Sequence, residues 1–418
     1  MERRNLLKFA GVGSLAPLLG STVLSSVHAE MGSELNGLRQ YMKRIDQIAK
    51  TYSYNYPEIR PLFDRHALLL LSLAYIQIFG TSSEHPQWIP YIPFYLPWGI
   101  PNPDDVYKNV PIDPEGIYHI YGNKNSPTIA KITLKRGGAH LGEVSSGKTL
   151  NEIDLTEIEA DIYGNYGFIL SAQKPKDSSL RWIKLHSECT KLMYRSVTKT
   201  MEERDPSVYI ERLNYKHGID FLKPSQLQIK KYNLYEFAIK QLEFLINLKI
   251  ERQNLGSDEK FIFDNDQIKY GGLLGQKYLF HTFSLEEDEA LILESEVPKQ
   301  VKYWNVMLFD EFIDGIDAVY HQSSLNDMQA KHGKDSKVRF VVSHRDPQVY
   351  NWLDTGGWPT GGIMWRWNNA SEYPVPSVRK VKFKDIFHYL PKDTEKLSIE
   401  LRRELISKRI AHYQQRLH

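Results

Sequence analysis

Apolar positions fall into distinct periodicities along the chain. A moderately apolar run from Phe9 to Leu24 is broken by Gly11, Gly13, Pro17 and Gly20. Leu62 to Phe79 carries leucine and isoleucine on nearly every side, interrupted by Asp64, Arg65, His66, Ser72 and Gln77. Its most apolar part, Ala67 to Ala74 with only Ser72 polar, is too short for a bilayer, which predicts a buried core helix. Prolines and aromatics crowd Pro86 to Pro103, and proline cannot donate to a central ladder, so this stretch reads as an extended connector packed over a surface. Short β-like runs follow at Ile117 to Tyr121, Thr128 to Leu134, Phe168 to Ala172 and Val208 to Leu213, with Tyr121-Gly122-Asn123 and Asn165-Tyr166-Gly167 as expected turns. Ser225 to Leu248 places Leu227, Leu234, Ala238, Leu242 and Leu245 near helical spacing, predicting one amphipathic helix. A second β region runs from Tyr278 to Phe383. A last helix is expected from about Ser398, where Leu401, Leu405, Ile406, Ile410 and Leu417 recur at three- and four-residue steps and the basic residues form a solvated face.

Charge and the chain's start change this picture. Met1-Glu2-Arg3-Arg4-Asn5-Leu6-Leu7-Lys8 ahead of the apolar run has the layout of a signal peptide, and Val27-His28-Ala29 offers small residues at cleavage spacing. The arginine pair and the weakly apolar, glycine-containing core resemble a twin-arginine export signal, which implies a periplasmic or secreted protein maturing near Glu30. Removing residues 1 to 29 takes three of 53 basic and one of 51 acidic side chains, leaving 50 of each. A chain with no basic excess is not expected to hold nucleic acid, and no stable membrane insertion is expected once the signal is removed. Cys189 is the single cysteine, so the core must stand without an intramolecular disulfide.

Candidate chemistry is sparse. Gly142 to Thr149 matches the phosphate-loop pattern, and Val306 to Glu311 looks like an apolar strand ending in a magnesium-binding carboxylate. A phosphate loop works only where a strand delivers it to a helix N-terminus. Leu150 to Asp161 has weak helical period, so the match reads as a polar, glycine-rich loop in which Lys148 is solvated. G-x-S-x-G, H-E-x-x-H, C-x-x-C and G-x-G-x-x-G are all missing. Polar residues concentrate in Ser343-His344-Arg345-Asp346-Pro347, Asn351-Trp352-Leu353-Asp354-Thr355-Gly356-Gly357 and Gly361 to Trp367.

With Asn102-Pro103-Asp104 and Tyr107, Glu211-Arg212-Leu213, Tyr303-Trp304 and His321 to Asn326, these segments resemble the bacterial family catalogued as domain of unknown function 1214, intermittently from about residue 100 to the C-terminal helix. The resemblance implies a jelly-roll β-sandwich in the C-terminal region and no settled reaction. The whole is therefore expected to be mainly β with flanking helices, with jelly-roll-like sandwich regions, an inserted amphipathic helix and a C-terminal helix. Its expected divisions are a signal peptide (1–29), a helical and proline-rich region (30–115), a first β region (116–215), a helical insertion (216–276), a second β region (277–391) and the terminal helix (392–418).

Alternation within the last strands would put Phe340, Val342 and His344 on one face, and Ile363, Trp365 and Trp367 on a core face opposite Met364 and Arg366. Arg366 would then be free to pair with Asp346 or Asp354. The candidate ligand site gathers His321, Asn326, His344, Arg345, Asp346, Asn351, Trp352, Asp354 and Arg366. The same loop residues could instead only tie a long loop into shape. His321, His344 and Asp354 are metal-ligating types, but their scattered spacing makes no metal site, and no catalytic residue or cofactor is assigned. Three readings stand: a periplasmic enzyme or binding protein for a small organic, carbohydrate-like ligand; a noncatalytic envelope assembly module, as an oligomer; and a nucleotide-dependent enzyme.

Overall fold

The computed structural model describes residues 20–416 except 94, 139–140, 142, 144–146, 177, 216–222 and 267–270, so the arginine pair and much of the phosphate-loop match lie outside the described residues. The chain divides into two compact units, residues 1–64 and 65–418. In the first, α1 (Gly20–Thr51) runs as helical backbone through Val27-His28-Ala29. Beyond it Tyr54 stacks on Phe63 at 5.2 Å and Arg60 bridges Asp46 and Asp64. Helix α2 (Arg60–Phe79) carries the chain into the second unit. By length and composition it could cross a membrane. Yet His66, Ala67, Leu70, Leu73, Ala74, Gln77 and Ile78 are buried along one side, as in a core helix. Gln77 donates to the Pro90 carbonyl at 3.1 Å and accepts from Asn109, so a polar interruption of the apolar run is what anchors the helix to its neighbouring strands.

Among the described residues, eighteen strands build the second unit. The first nine are β1 (Ile89–Pro90), β2 (Asp105–Pro111), β3 (Tyr118–Asn123), β4 (Ile129–Arg136), β5 (Lys148–Asp154), β6 (Asn165–Ser171), β7 (Arg181–Lys184), β8 (Lys191–Val197) and β9 (Ser207–Arg212). Helix α3 (Pro224–Asn254) follows. The second nine are β10 (Ile262–Phe263), β11 (Gln276–Ser284), β12 (Glu289–Glu296), β13 (Tyr303–Asp310), β14 (Ser324–Asn326), β15 (Lys337–Ser343), β16 (Trp352–Asp354), β17 (Thr360–Asn368) and β18 (Ser377–Lys382). The chain ends in α4 (Ile386–Tyr389) and α5 (Ile399–Gln415).

Two sandwiches result. Sheet β1-β2-β8-β4-β5 faces β7-β6-β3-β9, and sheet β10-β11-β17-β13-β14 faces β16-β15-β12-β18. Adding nine to every strand number of the first sandwich yields the second. Even the parallel edge pairs correspond, β6 with β7 and β15 with β16. Most successive long strands cross from sheet to sheet, as in a jelly roll, although β4 and β5 pair within one sheet, and each sandwich is preceded by a long helix. Separate cores fill the two: Ile120, Ile132, Phe168, Leu192 and Tyr194 in the first, Leu293, Trp304, Phe340, Trp365 and Trp367 in the second. Trp304 and Trp365 stack with ring centres 5.8 Å apart. Strands β8 and β13 are buried at every residue, which a strand achieves only when both faces of its sheet are covered.

Several sequence expectations are corrected. The β regions begin at Ile89 and Ile262, earlier than 116 and 277: the two-residue edge strands β1 and β10 are too short to show alternation, and β2 lies in the stretch assigned to the helical and proline-rich region. Pro90 is tolerated in β1 because that strand is an edge. Gly122 and Asn123 continue β3, and Asn165 to Gly167 belong to its partner β6, with Gly122 opposite Tyr166. A Cβ on Gly122 would lie 2.0 Å from the Ser207 carbonyl oxygen, so this glycine permits close strand approach rather than a turn. The terminal helix also docks through an unexpected face. Leu401 is exposed, whereas Arg402, Arg409, His412 and Tyr413 are buried. Arg402, Arg409 and Arg416 stand seven residues apart, two turns each, and form one inward row with their guanidinium groups on loop carbonyls and carboxylates.

Candidate functional site

The His321 and His344 segments do converge. His321 Nδ1 donates to Asp354 Oδ2 at 2.8 Å, the Asp354 amide donates to the Gln322 carbonyl at 3.0 Å, and His344 Nδ1 meets Thr355 Oγ1 at 2.7 Å. Asp354 raises the His321 pKa by hydrogen bonding to its protonated ring. The remaining loop residues are spent on the loop itself. Asn351 Nδ2 donates to the Lys331 and Arg339 carbonyls, and Trp352 Nε1 to the Ser343 carbonyl. Asp346 accepts from Arg402 Nε at 3.0 Å, and the same guanidinium bonds Gln322 Oε1 and lies over the Trp352 ring. Arg345 is exposed, over the Phe383 ring. Asn326 is fully buried and bonded to the Lys199 carbonyl in the other sandwich.

Arg366 is elsewhere. As alternation predicts, Ile363, Trp365 and Trp367 enter the second core while Arg366 takes the opposite face of β17. That face looks towards the first sandwich, so Arg366 pairs with neither Asp346 nor Asp354. Its Nη2 donates to the Ile100 carbonyl at 2.7 Å, its Nη1 reaches Asn305 Oδ1 at 3.4 Å, and its guanidinium lies over the Tyr278 ring at 5.8 Å.

The first sandwich mirrors this arrangement. Arg195 of β8 lies over the Tyr107 ring of β2 at 5.2 Å and donates from Nη2 to the Gly271 carbonyl at 2.7 Å. Tyr107 faces Arg195 in the β2–β8 register, as Tyr278 faces Arg366 between β11 and β17. The Tyr107 hydroxyl accepts from the Asn102 amide at 3.0 Å and the Tyr278 hydroxyl from the Leu273 amide at 2.8 Å. A constant 171 residues separates Ile100 from Gly271, Asn102 from Leu273, Tyr107 from Tyr278 and Arg195 from Arg366. Each sandwich thus supplies a cross-strand tyrosine–arginine pair, and each arginine reaches over to the other repeat's entry loop. The same offset relates Asp105 to Gln276, where the symmetry breaks: one repeat has an acid and the other an amide.

These residues enclose a cavity of about 80 Å3, lined by Asp105, Tyr107, Arg195, Gln276, Tyr278 and Arg366 and walled by Trp98, Met193, Phe244 and Leu248. Asp105 is buried, its Oδ2 is 3.9 Å from Arg195 Nε, and its Oδ1 and that Nε have no hydrogen-bond partner among the described residues. Burial pushes the Asp105 pKa up to about 6, with the Arg195 charge and a Tyr107 hydrogen bond opposing the rise. Ile100, at the cavity wall, has φ +57°, a left-handed conformation that strains a β-branched residue. Beside the cavity, Asn102 Nδ2 donates to Tyr303 Oη at 2.9 Å, the Tyr303 hydroxyl to Asp104 Oδ2 at 2.7 Å, and Asn305 Nδ2 to Asn102 Oδ1 at 2.7 Å. Arg416 closes this seam on the Pro103 and Asp104 carbonyls while pairing with Asp205.

Sequence reasoning placed Arg366 in the wrong company and missed Asp105, Arg195, Gln276 and Tyr278. A faint signal was available in Leu192-Met193-Tyr194-Arg195 and Ile363-Met364-Trp365-Arg366, one repeat apart. At the phosphate-loop match, the exposed Lys148 opens strand β5, so no helix N-terminus follows the loop. Among the described residues no group of three or more histidine, cysteine, aspartate or glutamate side chains is arranged to hold a metal ion.

Among solved structures, the chain is similar to an uncharacterised protein from Burkholderia cenocepacia, with TM-score 0.75 and 22% identity over 84% of this chain and 96% of that one. This likeness shows the fold alone. The VPA0106 protein from Vibrio parahaemolyticus aligns with TM-score 0.44 and 14% identity over 76% of this chain and 100% of that one. No family model matches the chain, and no curated protein matches it by sequence.

Proposed function

We propose that this chain is an exported protein that takes a small organic acid into the cavity between its two sandwiches, as an enzyme or a binding protein. The observation that carries the reading is the broken symmetry of the site: two buried arginines converge from equivalent positions, and one repeat adds Asp105 where the other has Gln276. Two guanidinium groups and one carboxyl favour a monoanion, and a carboxylate is the planar anion that a guanidinium fork fits. An 80 Å3 space is about half the 150 Å3 cavity known to admit benzene, so it suits a carboxylate head with roughly one to three further heavy atoms. With a pKa of about 6, Asp105 can give or take a proton near neutral pH, which favours acid–base chemistry beside the bound carboxylate.

Resemblance to the domain of unknown function 1214 family supports the location, since Asn102, Asp104, Tyr107, Tyr303, Asn326 and Arg366 come from its motif segments and lie in or beside this seam. Thermal unfolding of the purified full chain with formate, acetate, glycolate and lactate, against glycerol and glucose, tests the reading. At least one carboxylate should raise Tm by several degrees, and Asp105→Asn or Arg366→Gln should reduce the rise. A response to glucose alone would favour a carbohydrate ligand, and a fixed oligomer insensitive to every compound would favour an assembly module. Export by the twin-arginine route rests on Arg3 and Arg4, and replacing both with lysine should trap precursor in the cytoplasm. Undiminished periplasmic delivery would remove that route.

A further inference from the structure

A second cavity, of about 430 Å3, shares no lining residue with the one at the seam. Asp310, the last residue of β13, and Asp314 in the following turn line it, and both are buried. Asp310 Oδ1 accepts from the amides of Phe312 (2.8 Å) and Asp314 (3.0 Å). Asp314 Oδ2 accepts from His66 Nδ1 at 2.7 Å, whereas its Oδ1, on a side chain about one-twentieth exposed, has no hydrogen-bond partner among the described residues. A buried carboxylate oxygen without a donor is costly, and a positive charge held in the adjoining cavity would offset that cost through space.

The rest of the lining fits an organic cation better than a metal ion. Tyr95, Tyr320 and Trp358 contribute aromatic surface, which attracts alkylammonium groups through the ring quadrupole. The volume lies in the range of small-molecule pockets, far above that of a dehydrated metal ion. Burial, with the charge of Asp314 beside it, lifts the Asp310 carboxyl well above the ordinary range. Asp317 and Arg65 also line the cavity, are both exposed, and offset each other.

We propose that this cavity binds an organic monocation, an alkylammonium or quaternary ammonium head, with Asp314 as its counter-ion and Trp358 and Tyr320 as its aromatic walls. The site is independent of the organic-acid cavity. The test is titration of the full chain with tetramethylammonium and n-butylammonium, read by tryptophan fluorescence and Tm, with tert-butanol and n-butanol as neutral controls. One or both cations should bind and raise Tm while the alcohols do not. Asp314→Asn should weaken binding about tenfold or more, and Tyr320→Ala a few-fold. Alcohols binding as well as the cations, neither cation binding, or a folded Asp314→Asn protein with unchanged affinity would each overturn the proposal. Should Asp314→Asn fail to fold, the exposed positions decide through Tyr320→Ala and Asp317→Asn, and unchanged affinity in both overturns it.

Discussion

Asp105 is held by two opposing demands: its place on β2 buries it, and the nearest guanidinium stands 3.9 Å away, too far for a close ion pair. Because its folded pKa of about 6 exceeds the ordinary 3.8, the native protein keeps a proton that the unfolded chain has released between those values. Stability contributed by Asp105 is therefore full below about pH 4 and lost as pH rises through about 6, at most about 3 kcal/mol. His412, held down to about 4 by burial and the Arg416 charge, pulls the opposite way across the same window, because there the unfolded chain binds the extra proton. The difference between Asp105→Asn and the unaltered protein isolates Asp105. Denaturant unfolding at pH 4 and pH 7 should show the variant gaining on the parent as pH rises, and a constant difference would mean that Asp105 is already ionised and paired. Nothing in the sequence marked this residue, because an aspartate two positions before a tyrosine is common and its burial depends on a sheet face supplied by distant strands.

Helix α5 shows how an element can be found by period and still be misread by face. Its leucine spacing correctly predicted a helix, and Ser398 caps it, accepting from the Leu401 amide. The buried row, however, is made of Arg402, Arg409 and Arg416. Long guanidinium side chains satisfy loop carbonyls that no apolar residue could satisfy, while their stems cover the surface below. Arg409 bonds the Ala318 carbonyl and Ser324 Oγ, so Arg409→Leu should cost about 2–4 kcal/mol by leaving buried acceptors bare. Leu401→Gln should stay within about 0.5 kcal/mol. Chemical denaturation of the two variants checks the contrast, and the reverse order would restore the leucine face as the docking surface.

At the scale of the molecule, the two sandwiches share a seam made of exchanged contacts: Arg366 on the Ile100 carbonyl, Arg195 on the Gly271 carbonyl, and Lys199 on Asp327 at 2.8 Å. Between the two main cores a small apolar cluster of Ile129, Val197, Leu273 and Tyr303 bridges the sandwiches beside these polar contacts, and the cores should melt together most sharply while the exchange is intact. Arg366→Gln is expected to split or broaden the calorimetric transition of the 65–418 unit, whereas a single sharp transition at lower Tm would show that the cores are coupled without it. The tandem repeat itself left only a faint trace as sequence similarity, in the Leu192–Arg195 and Ile363–Arg366 stretches. A β-sandwich constrains the alternation and volume of its core positions and leaves residue identity loose, so Tyr194 and Trp365 fill equivalent places with different side chains.

What the sequence by itself determined was local: the mainly β character, the helices α2, α3 and α5, and the face on which Ile363, Trp365 and Trp367 lie. Each follows from periodicities of two or 3.6 residues and from turn chemistry, which act over a few neighbours. The tertiary structure alone decided that Arg366 faces Arg195 rather than Asp346, that arginines rather than leucines seat the last helix, and that Asp105 titrates near 6. Those outcomes depend on which sheet faces are stacked against each other. Burial, dielectric and the distance between charges are set by that stacking, and no short window of residues contains it.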